Sequence, residues 1–252
     1  MNSQIPTASA VLHRVRSNPN LDVLLYVGGE ISAETLLAGY RAGLFPMELE
    51  YDSTATVGWL CPQVRATIWM KKWETAGPTP FRITKSTRNA GKRLRVTMDQ
   101  AFDEVVERCS DVRSDGNWIN SDYQNAYHRL HLDGVGHSIE VWKDQSLVGG
   151  LFGVEVGGLF TGESMFHIQT GASKVALVAL YQVLSTAGFT LLDAQWLTDH
   201  LASLGFVGTE RIDYLRAVTT VSLLEPSRLS QGEIVINWRT FTHESPPEAV
   251  SD

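Results

Sequence analysis

The sequence predicts an α+β protein in which a small N-terminal domain precedes a larger domain built on a mixed β-sheet. Three observations point this way. From His137 to Phe166 the chain follows a period of two, interrupted by turn residues at Lys143-Asp144-Gln145 and Gly157-Gly158, as in a three-stranded antiparallel meander. A helical stretch from Ala172 to Thr186 then leads to a short apolar strand, Phe189 to Gln195, which has to lie parallel to its neighbour. Upstream, Gly77-Pro78-Thr79-Pro80 breaks the chain, and 252 residues, at about 150 per domain, leave room for a smaller unit before it.

Residues 1–20 are polar and unpatterned and contain the turn Asn18-Pro19-Asn20, so a mobile leader is expected there. Ser32, after Gly28-Gly29-Glu30-Ile31, caps a helix with Glu34 and Thr35 in its first turn. Leu36, Leu37, Tyr40 and Leu44 share one face of it, and Pro46 stops it. From Val57 to Met70 polar and apolar residues alternate around Pro62, which reads as extended structure, and these pieces make an N-terminal domain over 21–80. The large domain, 81–240, adds an amphipathic helix carrying Ala101, Phe102, Val105, Val106 and Cys109 and a second from Asp122 to Leu132. Between them lies Gly116-Asn117-Trp118-Ile119, a loop holding a large aromatic. A helical piece from Thr198 to Leu204 follows the parallel strand, and 241–252 is a flexible tail.

With 43% hydrophobic and 19% charged residues and a mean hydropathy of -0.08, the composition is that of a globular protein. No run long and apolar enough for a membrane span exists, and Met1-Asn2-Ser3-Gln4-Ile5-Pro6 lacks the order of a secretory signal, so a cytoplasmic address and no membrane partner are expected. Two cysteines, Cys61 and Cys109, are too few for a disulfide framework and are expected as thiols. A net charge of -7 argues against a coating of nucleic acid, and no DNA partner is expected. Yet Arg82, Lys85, Arg88, Lys92, Arg93 and Arg95 place six of the 21 Lys and Arg residues in one stretch free of acidic residues. Alone, such a run is a solvated face; on an acidic protein it also suits a docked phosphate backbone, because counterion release rewards clustered cations.

Asp193 and Gln195, two apart on the predicted strand, project from one face, and Glu163, in Gly162-Glu163-Ser164-Met165-Phe166, opens into the same crevice. One carboxylate beside a carboxamide is more often structural than catalytic, whereas three polar groups converging in an apolar crevice describe a site for a small molecule or a chain end. The same stretch is no serine-hydrolase elbow, because Phe166 stands where the second glycine belongs. His128 and His131 share a helical face with His137 nearby, but no carboxylate follows at a recognised zinc spacing, and no metal site is expected. The meander, crossover helix and strand also resemble the acetyltransferase fold, whose pyrophosphate loop reads Gln/Arg-x-x-Gly-x-Gly/Ala. Ile168-Gln169-Thr170-Gly171-Ala172-Ser173 does not fit that loop, so coenzyme A is not the expected donor and no cofactor is expected.

Taken in order, Gly43-Leu44-Phe45-Pro46, Trp118-Ile119, Ala126-Tyr127-His128-Arg129-Leu130-His131, His137-Ser138-Ile139-Glu140-Val141-Trp142, Leu147-Val148-Gly149-Gly150, Gly162 to Phe166, Ala172-Ser173-Lys174 and Asp193-Ala194-Gln195 resemble bacterial leucyl/phenylalanyl-tRNA-protein transferases. The resemblance runs from about Leu21 to Leu215. It implies a small N-terminal domain and a C-terminal acetyltransferase-like (GNAT-like) domain; a monomer is expected. The implied reaction moves Leu, Phe or Met from aminoacyl-tRNA to proteins with N-terminal Arg or Lys, creating a destabilising N-terminus for proteolysis. It further implies that Gln195 accepts a proton from the acceptor amine, oriented or polarised by Asp193, with Glu163 beside the acceptor or the aminoacyl group. Leu151, Phe160, Met165, Leu177, Leu180 and Leu192 would line the donor side-chain pocket, although each is also an ordinary core residue. Trp118 would contact the terminal adenosine, and the strip from Arg82 to Arg95 the acceptor-stem phosphates. Members commonly read Phe-Pro-Trp and Trp-Trp-Ser-Pro where this chain has Phe45-Pro46-Met47 and Trp59-Leu60-Cys61-Pro62, so Met47 borders the adenosine without an aromatic face. A coenzyme A dependent N-acyltransferase and a non-catalytic module that binds tRNA or basic N-termini are the alternatives.

Overall fold

The computed structural model describes residues 5–18, 20–51, 54–74, 77–111, 118–225, 227 and 229–241. Its first element corrects the expectation of a mobile leader. Residues Ala8–Ser17 form a helix, α1, whose first turn is capped by the Thr7 hydroxyl accepting from the Ala10 N–H at 3.3 Å. Ala8, Val11, Leu12 and Val15, spaced i, i+3, i+4 and i+7, make one face of it, and that face is buried against a helix near the C-terminus.

The small N-terminal sheet comes next. It holds β1 (Leu24–Val27), β2 (Phe45–Tyr51) and β3 (Thr54–Leu60) in the antiparallel order β1-β3-β2, with α2 (Ala33–Arg41) beside it. Ser32 caps α2 as expected, and reciprocally: its hydroxyl accepts from the Thr35 N–H at 3.2 Å while Thr35 Oγ1 accepts from the Ser32 N–H at 2.9 Å. The stop is not Pro46. The helix ends at Arg41, Gly43 turns the chain at φ 79°, and Pro46 lies within β2, an edge strand where its missing N–H leaves no ladder bond unmade. The Trp59 indole donates to Gly28 O at 3.0 Å and lies so close to Gly39 that a Cβ there would meet the ring at 2.2 Å.

Pro62 divides the extended run differently from the expectation. Beyond it, β4 (Val64–Trp69) leaves the small sheet and enters the large one, so the expected 21–80 unit loses its last strand. Every residue of β4 after Val64 is buried, which requires cover on both faces, and only an interior position in a large sheet supplies that. The remaining elements are α3 (Lys85–Gly91), β5 (Arg95–Met98), α4 (Phe102–Asp111), α5 (Ser121–Leu132), β6 (Gly136–Lys143), β7 (Ser146–Val156), β8 (Leu159–His167), α6 (Ala172–Ala187), β9 (Leu191–Asp193), α7 (Asp199–Ser203), β10 (Val207–Glu210), α8 (Arg211–Val221) and β11 (Gly232–Glu233).

The large sheet has the order β10-β4-β9-β8-β7-β6-β5-β11. Its β6-β7-β8 meander, the α6 crossover and the parallel β8–β9 pair are the arrangement the sequence predicts, and the protein is α+β with a small N-terminal sheet and a mixed C-terminal sheet. Two buried clusters cover its faces. One gathers residues of α1, α2, α4, α5, α8 and the small sheet; the other is centred on α6. Arg211, 2% exposed, fastens the N-terminal segment down by donating to Leu21 O at 2.8 Å, Asp22 O at 3.0 Å and Cys61 O at 3.2 Å. Of the expected tail, Phe241 is buried against Phe81 and Tyr181, and 242–252 fall outside the described residues, as do Gly116 and Asn117 of the expected Trp118 loop. Among the described residues no helix is long and apolar enough to cross a membrane.

Because α1 is a docked helix, Val11→Asp places a carboxylate at a fully buried position. It is expected to cost about 3 kcal/mol or more of unfolding free energy, read by urea denaturation. A leader without a partner would tolerate it.

Candidate active site

Strands β8 and β9 run side by side only over Leu159–Thr161 and Leu191–Asp193. Past that point they part. β9 ends at Asp193, while β8 continues along β7 to His167, and a crevice opens between them at their carboxyl ends. Two irregularities shape it. The β7–β8 register runs Gly153↔Gly162 and then Phe152↔Ser164, so Glu163 is an extra, bulged residue on β8. Gln195 does not share the strand face expected for it: the chain has left β9, and Gln195 sits at φ 56°, in the left-handed region. Alternation along a strand does not reach across such a turn, so its approach to Asp193 comes from the turn itself.

The turn is held by charge. Asp193, with 0% of its side chain exposed, accepts from Arg65 Nε at 2.9 Å and from the Gln195 N–H at 3.0 Å through Oδ1. Through Oδ2 it accepts from Arg65 Nη2 at 2.7 Å and from the Tyr214 hydroxyl at 3.0 Å. Arg65 in β4 lies between the rings of Phe45, 4.7 Å from its centroid, and Tyr214, at 4.5 Å. Burial alone would lower the guanidinium's pKa, but the adjacent Asp193 outweighs it and holds the group above its ordinary value, so it stays charged. The same burial holds the Tyr214 phenol well above its usual range.

Glu163 forms the second centre. Its Oε1 accepts from Thr161 Oγ1 at 3.0 Å and from Gln195 Nε2 at 3.2 Å, and its Oε2 from the Tyr127 hydroxyl at 2.9 Å; Tyr127 in turn meets Tyr40 OH at 3.0 Å. Burial raises the Glu163 carboxyl to about 7, against the downward pull of hydrogen bonds from Tyr40, Tyr127 and Thr161. Part of the residue remains open to the crevice. Gln195 Nε2 also reaches Thr161 Oγ1 at 3.1 Å, so the NH2 end of the side chain is committed and the carbonyl is its remaining acceptor.

Of the residues expected in a donor pocket, Leu151, Phe160, Leu177, Leu180 and Leu192 are buried in the cluster centred on α6, and Met165, half-buried, packs against them. They lie across the sheet from the carboxylates, because Phe160 and Leu192 alternate with Thr161 and Asp193. The bulge at Glu163 brings Met165 to the same face as Phe160 despite their odd spacing.

Trp118 packs edge-on against Tyr123 at 5.2 Å, and Tyr123 stacks on Tyr127 at 6.3 Å, an aromatic path from the half-exposed indole to Glu163. Met47 is 40% exposed on β2, on the side of the strand that carries Phe45, whose ring meets that of Trp196 at 6.0 Å. In the basic strip Arg82 before α3, Lys85 on it, Lys92 and Arg93 after it and Arg95 at the start of β5 are exposed, with Arg95 5.0 Å above the Trp142 ring. Arg88 is half-buried and donates to Phe241 O at 2.9 Å, a tie to the C-terminal segment that a solvated run would not make. His128 meets Asp103 and His131 meets Gly136 O, each at 2.8 Å, so the two imidazoles serve separate partners. Cys61 is a buried thiol, raised to about 11 by burial.

Sequence reasoning missed Arg65, Tyr214, Tyr40, Tyr127 and Thr161. Only Arg65 left a usable trace: a cation beside Ala66-Thr67-Ile68-Trp69, a run too apolar to face water, demands a buried carboxylate somewhere in the fold.

A family model described as leucyl/phenylalanyl-tRNA protein transferase matches residues 77–219, and a second, for the N-terminal domain of the same family, matches 29–63. A leucyl/phenylalanyl-tRNA--protein transferase from Klebsiella pneumoniae (strain 342) is 42% identical over 194 residues, covering 76% of this chain and 78% of that protein. One from Shigella sonnei (strain Ss046) is 41% identical, covering 79% and 82%, and one from Psychrobacter arcticus is 38% identical, covering 77% and 72%. Among solved structures, the C-terminal domain of a putative lysylphosphatidylglycerol synthetase from Agrobacterium fabrum is similar at 16% identity, covering 78% of this chain and 62% of that one with a TM-score of 0.38.

The position of Glu163 predicts a pH effect on stability. Its folded pKa of about 7 lies above the ordinary 4.5, so between these values the folded state holds the proton more tightly and stability falls as pH rises. Glu163→Gln removes that loss. Its Tm is expected to exceed that of the wild type near pH 8, by roughly 4 °C or more, and to converge with it near pH 4, in paired thermal melts.

Proposed function

The chain belongs to the leucyl/phenylalanyl-tRNA protein transferase family and is an aminoacyltransferase, and from that premise we propose that it moves Leu, Phe or Met from aminoacyl-tRNA to proteins beginning with Arg or Lys. The observation that carries the site assignment is the orientation of Gln195. Its Nε2 is bound to Thr161 and Glu163, which leaves Oε1 as the acceptor for the N–H of an incoming amine. A carboxamide is a feeble base, so its contribution is to aim the nitrogen lone pair at the ester carbonyl.

In the proposed reaction the acceptor's α-ammonium first gives a proton to Glu163, whose carboxyl burial raises to about 7. The free amine attacks the ester carbonyl, a C–N bond forms, and the C–O bond to the terminal ribose breaks. The ribose oxygen leaves with the second amine proton. The ester is already activated, so approximation and orientation supply most of what is needed.

The donor side chain passes through the gap between β8 and β9 toward Met165 and the apolar cluster of Leu151, Phe160, Leu177, Leu180 and Leu192, which suits unbranched or γ-branched shapes. Trp118 receives the terminal adenosine with Met47 nearby, and Arg82, Lys85, Lys92, Arg93 and Arg95 hold the acceptor stem through its phosphates, with Arg88 bracing the strip. The protein works as a monomer in the cytoplasm, without a cofactor, and its products carry destabilising N-termini.

Labelled Leu-tRNA incubated with an Arg-initiated peptide tests this reading. Label is expected on the peptide's α-amino group, and Gln195→Ala is expected to lower kcat about 100-fold with tRNA affinity unchanged. Replacing Lys92, Arg93 and Arg95 by Ala should weaken every tRNA alike and flatten the salt dependence. Binding of both substrates with no transfer would leave the non-catalytic module as the better reading, and turnover of acetyl-coenzyme A the acyltransferase.

A further inference from the structure

We infer that Arg65 is a positioning residue for transfer, acting through Asp193 to hold Gln195 in the backbone conformation that aims its carbonyl at the acceptor amine. This rests on the reading of Gln195 given above.

A non-glycine residue at φ 56° does not stay in the left-handed region without outside restraint. Gln195 is restrained at both backbone ends: its N–H donates to Asp193 Oδ1 at 3.0 Å, and its carbonyl accepts from the Ala66 N–H at 3.1 Å. The first restraint is only as firm as the Asp193 carboxylate, and Asp193 has nothing left over for a substrate. Each oxygen already has two donors, Arg65 Nε and Gln195 N on Oδ1, Arg65 Nη2 and Tyr214 OH on Oδ2. The carboxylate is also fully buried. It acts on the reaction through Gln195.

The plane of that carboxylate is set by Arg65. Two parallel bonds from one guanidinium edge fix both the position and the rotation of a carboxylate, which a single ammonium cannot do. The guanidinium is immobilised in turn, 1% exposed, between the rings of Phe45 and Tyr214, with Nη1 donating to Gly43 O at 3.4 Å. Phe45 and Gly43 come from β2 and the turn before it, Tyr214 from α8. The orientation of the crevice carboxamide thus depends on both the small sheet and the C-terminal helix.

Arg65→Lys keeps the charge and removes the fork, and Tyr214→Phe removes one donor from Asp193 while keeping the ring over the guanidinium. Both are compared with wild type for kcat and for KM toward Leu-tRNA and an Arg-initiated peptide, and both are repeated in the Gln195→Ala background. Arg65→Lys is expected to lower kcat about ten-fold or more with each KM within about two-fold, and Tyr214→Phe to do so by a smaller factor. In the Gln195→Ala background neither is expected to lower the residual rate further, because the group they position is gone. An equal fractional loss in both backgrounds, a rise confined to KM, or unaltered kcat in both variants overturns the proposal. Circular dichroism and melting report folding; if Arg65→Lys does not fold, the Tyr214→Phe pair carries the same test. A wild type that transfers nothing overturns the reading of Gln195 itself and is distinguishable from these outcomes.

Discussion

A carboxylate sealed at the end of a β-strand has to be matched by a cation, and at Asp193 the match comes from a strand that is its neighbour in the sheet but 128 residues away in the chain. Arg65 reaches it only because Pro62 ends β3 and sends β4 into the middle of the large sheet, next to β9. Burying such a pair adds little net stability, since desolvation consumes most of the Coulombic gain, whereas removing one partner costs about 3–5 kcal/mol. Its value is geometric. It ties the small sheet, through Phe45 and Gly43, to the point where the large sheet splits, and α8 closes the arrangement with the Tyr214 hydroxyl. Arg211 repeats the device one turn earlier on the same helix, with three backbone carbonyls in place of a carboxylate. Two buried guanidinium groups thus join segments that local sequence would assign to separate domains.

The split between β8 and β9 also sorts the chemistry. Alternation along both strands puts Thr161 and Asp193 on the face covered by α2, α5 and α8, and Phe160 and Leu192 on the face covered by α6. The two faces beside the split therefore differ, with hydrogen-bonding side chains on one and aliphatic and aromatic ones on the other. The bulge at Glu163 is the adjustment that sets a titratable carboxyl at the gap's edge, within reach of Tyr127.

What could be read from the sequence was what depends on local periodicity and local capping. The meander, the α6 crossover, the Ser32 cap and the exposed basic strip all follow from neighbours within a few residues. Four features did not, and each depends on a distant partner. Ala8, Val11, Leu12 and Val15 have helical spacing, but what makes α1 a fixed element is the burial of that face against α8. Both faces of β4 are buried by elements that come much later in the chain. A bulge at Glu163 is visible only in the register of β8 against β7, and the turn at Gln195 only in its bond to Asp193. Asp193, Gln195 and Glu163 were nonetheless grouped correctly in space, although the shared strand face that grouped the first two does not exist. That both oxygens of Asp193 are already taken, by Arg65, Tyr214 and the Gln195 N–H, could not be read from spacing.

In the proposed reaction Gln195 meets the acceptor while Asp193 touches neither substrate. A structure of the protein with a non-hydrolysable aminoacyl-adenosine analogue and an Arg-initiated peptide tests it most directly. The peptide's N-terminal nitrogen is expected at roughly 3 Å from Gln195 Oε1, with Asp193 still holding both bonds to Arg65 and no ligand atom within hydrogen-bond distance of its carboxylate. An Asp193 released from Arg65 and bonded to either substrate would contradict it.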